Sequence, residues 1–227
     1  MAWTAPAILF DLDGTLVDSV YQHVGAWRDA LKSCGIPLSV WRIHRKIGMS
    51  GGLFVRALMR ELGRELDPDI SVELRRLHAQ AYAARFDTVV ALPGARELLA
   101  TLTELRVPWA IATSGGRDVA DRTLALLDIP SDVPVITRDD VAHAKPDPDL
   151  FLRAAERLAV AIEHSIVVGD SVWDLLAARR AGALGVGLLS GGYGLDELQS
   201  GGAYRVYEDP ADFLLHLDEV GVRDPER

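Results

Sequence analysis

The chain has 227 residues, of which 49% are hydrophobic and 25% charged, values typical of a globular protein with a sizeable core. Its 24 basic and 33 acidic residues give a formal net charge of −9, which disfavours nucleic-acid binding through phosphate neutralisation. Cys34 is the single cysteine, so an internal disulfide and a cysteine-based zinc site are excluded. No apolar stretch approaches the roughly 20 residues that span a bilayer, and the N-terminal residues do not resemble a signal peptide. We therefore expect a cytoplasmic protein.

Six short apolar runs are typical of strands that are buried on both faces of a parallel sheet. They cover residues 7–10, 107–112, 133–136, 166–168, 184–189 and 204–207. Helix-like stretches lie between the later runs, at residues 95–105, 117–127, 149–159 and 173–181. The alternation of strand and helix predicts an α/β fold with a doubly wound, Rossmann-like parallel sheet.

The interval from Leu16 to Leu92 interrupts this alternation, because it contains no good strand candidate. Apolar residues recur there at helical spacing, as in Val24, Trp27 and Leu31. A connection of about 75 residues is far longer than an ordinary crossover. The sequence therefore predicts a core made of residues 1–15 and 93–227, with a helical cap domain, residues 16–92, inserted into it.

The first apolar run ends in Asp11-Leu12-Asp13-Gly14-Thr15. Residues two apart in an extended segment share a side, so Asp11 and Asp13 are expected to face one cleft. Two close carboxylates repel each other, and a divalent cation such as Mg²⁺ removes that conflict. A carboxylate can also attack phosphorus as a nucleophile. An ordinary Asp-Gly turn with solvated acids explains this motif equally well on its own.

Three further polar motifs follow later strands. They are Thr113-Ser114 with two glycines, Lys145 before a predicted helix, and Gly169-Asp170 with Asp174 four residues further on. Hydroxyls and a lysine can hold phosphate oxygens, and another acid can complete a metal site. Asp174 is expected to cap a helix, orient Lys145 or help to bind the metal. Each motif alone also fits a turn or a helix cap.

The order of these motifs along the chain favours one shared site. They follow core strands one, two, three and four, always at the carboxyl end. With a sheet order of 3-2-1-4-5, strands two and four flank strand one. Asp11, Thr113 and Asp170 then meet at the point where the sheet changes direction, which is where open α/β sheets bind ligands.

The ordered motifs resemble those of the haloacid dehalogenase superfamily, in the group that carries a helical cap after the first motif. The resemblance covers essentially the whole chain. It implies a Mg²⁺-dependent phosphatase in which Asp11 takes the phosphoryl group and Asp13 acts as acid and base. It further implies that Thr113, Ser114 and Lys145 hold phosphate, and that Asp11, the Asp13 carbonyl and Asp170 hold the metal. The dehalogenases of this family lack the second aspartate, so dehalogenation is set aside.

The predicted substrate is a small phosphorylated metabolite, as in phosphoglycolate phosphatases or sugar phosphatases of the resembled group. His23, Lys46 and Ser50 are the candidate cap contacts with it. A sugar phosphomutase of the β-phosphoglucomutase type is the alternative, and a catalytically inactive phosphate-binding module is the second alternative. The sequence indicates no nucleic-acid or membrane partner and leaves the oligomeric state open. The segment Gly191-Gly192-Tyr193-Gly194 is predicted to be a mobile loop without an assigned function.

Overall fold

The structure is a computed structural model that describes residues 5–63, 65 and 67–223. These residues form two compact units. The core unit contains the described residues up to Asp18 and from Ala91 onward, and the helical unit contains those within Ser19–Val90. The chain passes from the core unit to the helical unit three residues after the boundary expected at residue 15. It returns to the core unit two residues before the boundary expected at residue 92.

The described residues form eight strands in two sheets. In chain order, the strands are β1 (Ala7–Phe10), β2 (Val17–Asp18), β3 (Val90–Ala91), β4 (Trp109–Ala112), β5 (Val135–Ile136), β6 (Ser165–Gly169), β7 (Leu184–Leu188) and β8 (Ala203–Tyr207). Six of them form the main sheet, with the order β5-β4-β1-β6-β7-β8. All pairs in that sheet are parallel. The predicted order of the first five core strands is therefore confirmed, and β8 extends the sheet at one edge.

Residues on both faces of the main sheet are buried, which explains why its strands are continuous apolar runs. Leu9 and Val167 face one side, where they pack in a cluster with residues of two helices, Leu150 and Ala177 among them. Their neighbours alternate to the opposite face. Phe10 on that face is fully buried and contacts the ring of Trp109 edge-on. The predicted doubly wound fold is confirmed.

The described residues also form ten α-helices and five short 3₁₀ segments. The helices are α1 (Val20–Ser33), α2 (Val40–His44), α3 (Gly51–Glu61), α4 (Pro68–Ala83), α5 (Ala95–Glu104), α6 (Arg117–Leu124), α7 (Asp149–Leu158), α8 (Val172–Ala181), α9 (Leu195–Gly201) and α10 (Pro210–Leu215). No helix in the described part of the chain is both long and apolar enough to cross a membrane.

The helical unit is built from α1 to α4 around an apolar core. Val20, Val24, Trp27 and Leu31 are buried along one stripe of α1, at the spacing expected for an amphipathic helix. Val72 on α4 also recurs at helical spacing with apolar neighbours in the sequence, but it is 57% exposed. Helix α4 buries few of its residues, so its apolar spacing alone does not identify the inward face.

Two short strands lie in the interval where the sequence predicted none. β2 and β3 pair as a separate two-stranded sheet. Each contains only two residues, which is too short to produce the alternation of apolar and polar side chains by which strands are recognised. The expectation of a strand-free interval was therefore wrong at both of its ends.

Candidate active site

The chain turns sharply after β1, at the segment that carries Asp11 and Asp13. Gly14 has φ of +84°, a left-handed conformation that glycine adopts without strain. Its N–H donates a hydrogen bond to the Val17 carbonyl at 2.8 Å, which closes the turn. Asp11 is buried and Asp13 is half-buried. Both acids thus lie just beyond the carboxyl end of β1.

Lys145 is a fully buried cation of the core unit. Its Nζ donates to Asp11 Oδ1 and forms an ion pair with Asp174 Oδ1 at 2.8 Å. The same atom lies 5.1 Å from the centre of the Phe151 ring. A buried ammonium group is tolerated only where opposite charge compensates it. Lys145 therefore links two carboxylates that lie far apart in the sequence.

Asp170 completes a cluster of three buried carboxylates with Asp11 and Asp174, whose oxygen atoms lie within 4.8 Å of one another. Asp174 Oδ2 also accepts hydrogen bonds from the backbone N–H of Ser171, at 3.1 Å, and from its hydroxyl. Two of the three roles considered for Asp174 have a contact behind them, since it completes the capping box at the start of α8 and forms an ion pair with Lys145.

The cluster carries more negative charge than Lys145 can balance. Burial raises the pKa of Asp11 to about 7, since attraction to Lys145 offsets it only in part and Asp174 adds repulsion. Burial, followed by repulsion from Asp174 and Asp11, raises the pKa of Asp170 well above its usual range. Burial lowers the pKa of Lys145, but the two neighbouring carboxylates outweigh it and the net shift is upward.

A divalent cation fits this group of ligands. Hard cations prefer carboxylate oxygens. Burial and, after it, repulsion between the carboxylates raise the pKa values of Asp11 and Asp170, and a bound cation would offset both. Both oxygens of Asp174 are already engaged, by Lys145 and by Ser171. Asp11 and Asp170 are therefore the side chains best placed to hold a metal ion.

Thr113 and Ser114 follow β4, the neighbour of β1 in the sheet. Thr113 is buried, and its Oγ1 accepts a hydrogen bond from the Gly115 N–H at 3.0 Å. The Ser114 hydroxyl is buried and has no hydrogen-bond partner among the described residues. An unpaired buried hydroxyl costs free energy that a ligand oxygen can recover. Ser114 thus offers a free donor for an anion at this edge of the sheet.

The segment after β7 packs against the same cluster, a contact that no sequence motif predicted. The Ser190 hydroxyl donates to the Gly14 carbonyl at 2.6 Å. A Cβ atom built on Gly191 would lie 1.7 Å from Asp170 Oδ2, so no larger residue fits there without displacing that carboxylate. Gly191 and Tyr193 are buried. Two of the four residues of the predicted mobile loop are therefore packed into the core unit, and the mobility of the segment stays a prediction.

Two other contacts at the cluster were also missed. Thr15 is buried, and its Oγ1 donates to Asp170 Oδ1 at 3.2 Å. A Cβ atom on Gly169 would lie 2.3 Å from the Cβ of Asp174, so a glycine is needed there for Asp174 to fold back over the end of β6. A glycine or a small hydroxyl residue close to the end of a buried strand is the sequence signal that these positions carry.

The three candidate cap contacts lie in the helical unit. His23 Nδ1 lies 3.1 Å from His78 Nε2, and the His23 ring stacks on Tyr82 with centroids 3.9 Å apart. Lys46 Nζ forms an ion pair with Glu61 Oε2 at 2.5 Å. Ser50 is buried at the start of α3. Their contact with a substrate stays a prediction.

Comparisons with known proteins place these residues in a family context. The family model described as haloacid dehalogenase-like hydrolase matches residues 5–182. The chain is 34% identical over 188 residues to validoxylamine A 7'-phosphate phosphatase of Streptomyces hygroscopicus subsp. limoneus, covering 79% of this chain and 84% of that relative. It is also 34% identical over 176 residues to hexitol phosphatase A of Escherichia coli (strain K12), covering 77% and 78% respectively.

A solved structure of high similarity extends the match to nearly the whole fold. The crystal structure of a hydrolase from Pseudomonas syringae superposes with a TM-score of 0.93 at 53% sequence identity. The match covers 96% of this chain and 100% of that one. The fold, including the helical unit, is therefore shared with a hydrolase.

Proposed function

This chain belongs to the haloacid dehalogenase-like hydrolase family, and on that premise we propose that it is a Mg²⁺-dependent phosphatase of a small phosphorylated metabolite. The relatives named above are phosphatases of a phosphorylated validoxylamine and of hexitol phosphates. Phosphate esters of small polyhydroxylated compounds are accordingly the substrate class that we favour. We also propose a cytoplasmic location, where such esters are made and consumed.

The observation that carries the proposal is the buried ion pair between Lys145 and Asp11. In the first step, an Asp11 oxygen attacks phosphorus, and the bond between phosphorus and the leaving oxygen breaks. Asp13 donates the proton that this oxygen needs to leave as an alcohol. Lys145 and the hydroxyls of Thr113 and Ser114 bind the phosphoryl oxygens and stabilise their charge.

In the second step, water attacks the phosphorus of the aspartyl-phosphate. Asp13, now a carboxylate, takes the proton of that water. The bond between phosphorus and Asp11 breaks, which releases inorganic phosphate and restores the Asp11 carboxylate. The half-buried Asp13 thus acts as a general acid in the first step and as a general base in the second.

Asp11, Asp170 and the backbone carbonyl of Asp13 would hold Mg²⁺. When bound, the cation supplies positive charge that neutralises the carboxylates and the phosphoryl group. Asp174 keeps Lys145 oriented through their 2.8 Å ion pair. Thr15 steadies Asp170 through its hydroxyl.

The proposal is tested by measuring phosphate release from a panel of sugar, hexitol and cyclitol phosphates and phosphoglycolate, with Mg²⁺ and with chelator. Asp11→Asn is the control variant, because it keeps the size of the side chain and removes the nucleophilic carboxylate. We expect release that requires Mg²⁺ and that this variant lacks. Equal release by the variant, or none from any ester by the wild type, would contradict the proposal.

The same panel separates hydrolysis from the phosphomutase alternative. A mutase converts a sugar 1-phosphate to the 6-phosphate without releasing phosphate. Product analysis of the sugar phosphate wells therefore distinguishes the two activities. Phosphate binding without either reaction would instead indicate an inactive binding module.

A further inference from the structure

We propose that Ser190 is a positioning residue that holds the turn carrying Asp13 ready to protonate the leaving oxygen. This inference rests on the proposed phosphatase activity. It gives a role to the residue directly before the glycine-rich segment 191–194, to which the sequence assigned no function.

The contact that carries the inference joins two distant parts of the core unit. The Ser190 hydroxyl donates to the carbonyl of Gly14 at 2.6 Å, across 176 positions of sequence. Gly14 directly follows Asp13, so a hydrogen bond that fixes the Gly14 carbonyl also restricts the backbone position of Asp13. Ser190 lies in the 3₁₀ segment Leu189–Gly191 that directly follows β7, and the pairing of β7 with β6 anchors the start of this segment.

The Asp13 turn depends on such anchors because its backbone is flexible. Gly14 occupies the left-handed region and has the largest conformational freedom of any residue type. Its N–H is held by the Val17 carbonyl, and Thr15 is tied to Asp170 at 3.2 Å. Ser190 adds the bond to the Gly14 carbonyl, which lies in the chain between the Gly14 N–H and the Thr15 side chain. Next to it, Gly191 packs directly against Asp170, so both neighbours serve the same cluster.

The chemical consequence concerns the leaving group. A general acid works only within hydrogen-bond reach of the oxygen it protonates, and a shift of about 1 Å can lower a rate about 100-fold. An alkyl phosphate needs this proton, because an alkoxide is a poor leaving group. An activated aryl ester such as 4-nitrophenyl phosphate does not, because its phenolate leaves unprotonated. Loss of the Ser190 hydrogen bond should therefore slow the reaction of alkyl phosphates and leave that of activated aryl esters nearly unchanged.

The experiment compares kcat/KM for the best alkyl phosphate of the panel and for 4-nitrophenyl phosphate, at saturating Mg²⁺. kcat/KM reports the transfer to Asp11 and excludes the later hydrolysis step. Ser190→Ala removes the hydroxyl, and Ser190→Thr retains it. Ser165→Ala is the matched control, because it removes a similar hydroxyl-to-carbonyl bond, of 3.2 Å to Ala161, at the other end of the sheet.

We expect Ser190→Ala to lower kcat/KM about tenfold for the alkyl phosphate and less than about twofold for the aryl ester, with Ser190→Thr close to wild type. An equal loss for both substrates, or no loss for either, would overturn the role of Ser190. In that case the wild-type enzyme would still release phosphate, so the proposed function would stand. Absence of release by the wild type would instead refute the function itself.

Discussion

The two units of the molecule differ in whether they bury an ion pair in their interior. In the core unit, Lys145 and Asp174 form an ion pair in which neither side chain is exposed to solvent. In the helical unit, the corresponding pair of Lys46 and Glu61 has side chains that are 13% and 34% exposed. Ion pairs such as Arg76 with Glu73 on α4 are more exposed still.

This difference shows where the fold carries an energetic cost. Removing a charged side chain from water costs roughly several kcal/mol, whereas apolar side chains fill the same volume without that cost. The interior of the helical unit is filled with apolar and aromatic side chains, including Trp27 stacked on Phe54. The core unit instead buries three carboxylates around one ammonium group. Such a cluster is best explained by chemistry performed on a charged ligand.

The largest expected effect comes from replacing the lysine of each unit with methionine. Lys145→Met leaves Asp11 and Asp174 buried without their cation, so we expect a loss of about 3–5 kcal/mol in the free energy of unfolding. Lys46→Met removes a partly exposed pair and should cost about 1 kcal/mol or less. Chemical denaturation at pH 7 in chelator measures both, and equal losses would break the contrast between the units.

The pH dependence of stability is the next largest effect. The pKa of Asp11 is 3.8 in the unfolded chain and about 7 in the folded one, so between these values the folded state holds the extra proton. Its contribution to stability is therefore complete below pH 3.8 and is lost as the pH rises through 7. We expect the free energy of unfolding in chelator to fall by about 2 kcal/mol from pH 5 to pH 7.

Asp170 shifts in the same direction as Asp11 and should steepen the fall. Asp11→Asn is the control for this titration, because its slope between pH 5 and pH 7 should be shallower than that of the wild type. Denaturation curves at several pH values provide the measurement. A wild-type stability that rises over this range would show that the pKa values of the buried acids are not raised in the folded protein.

Two glycines provide a matched test of close packing. Gly191→Ala places a methyl group against Asp170, and we expect the apparent affinity for Mg²⁺ to fall about 10- to 100-fold. Gly52→Ala in α3 is the control, since its added Cβ would have no atom within 4 Å. Titration of activity with Mg²⁺ measures both variants. Equal metal affinity in both would mean that Asp170 does not hold the metal.

The smallest effect is a gain in stability within the helical unit. Gly52 lies in the first turn of α3 with an ordinary helical backbone. Replacing it with alanine reduces the entropy of the unfolded chain, so we expect a stabilisation of about 0.4–1 kcal/mol. Thermal unfolding of the variant beside the wild type tests this value. A destabilised variant would show that the start of α3 is packed more tightly than its open Cβ position indicates.

The sequence alone indicated the sheet and the main acids of the site, because both leave local signals. Buried parallel strands are short apolar runs, and each candidate acid directly follows one of them. The pairing of Phe10 with both Ile111 and Val168 then brings Asp11 next to the ends of β4 and β6. That neighbourhood follows from strand order, which the positions of the motifs predicted.

The contacts of Ser190 and Gly191 had no comparable signal. Their partners, Gly14 and Asp170, lie far away in the sequence, and a run of glycines resembles any loop. Only the three-dimensional position of the end of β7 shows that this segment packs against the acids. The two-residue strands β2 and β3 escaped prediction for a different reason, since they are too short for any periodicity.

The most direct test of the account is to find the phosphoryl group on Asp11. Asp13→Asn enzyme is incubated with Mg²⁺ and 4-nitrophenyl phosphate, which needs no acid for the first step, and is then quenched in acid. Because the second step lacks its base, the intermediate should accumulate. Peptide mapping by mass spectrometry is expected to place phosphate on Asp11. Release of nitrophenol with phosphate on another residue, or on none at any time point, would contradict the central role of Asp11.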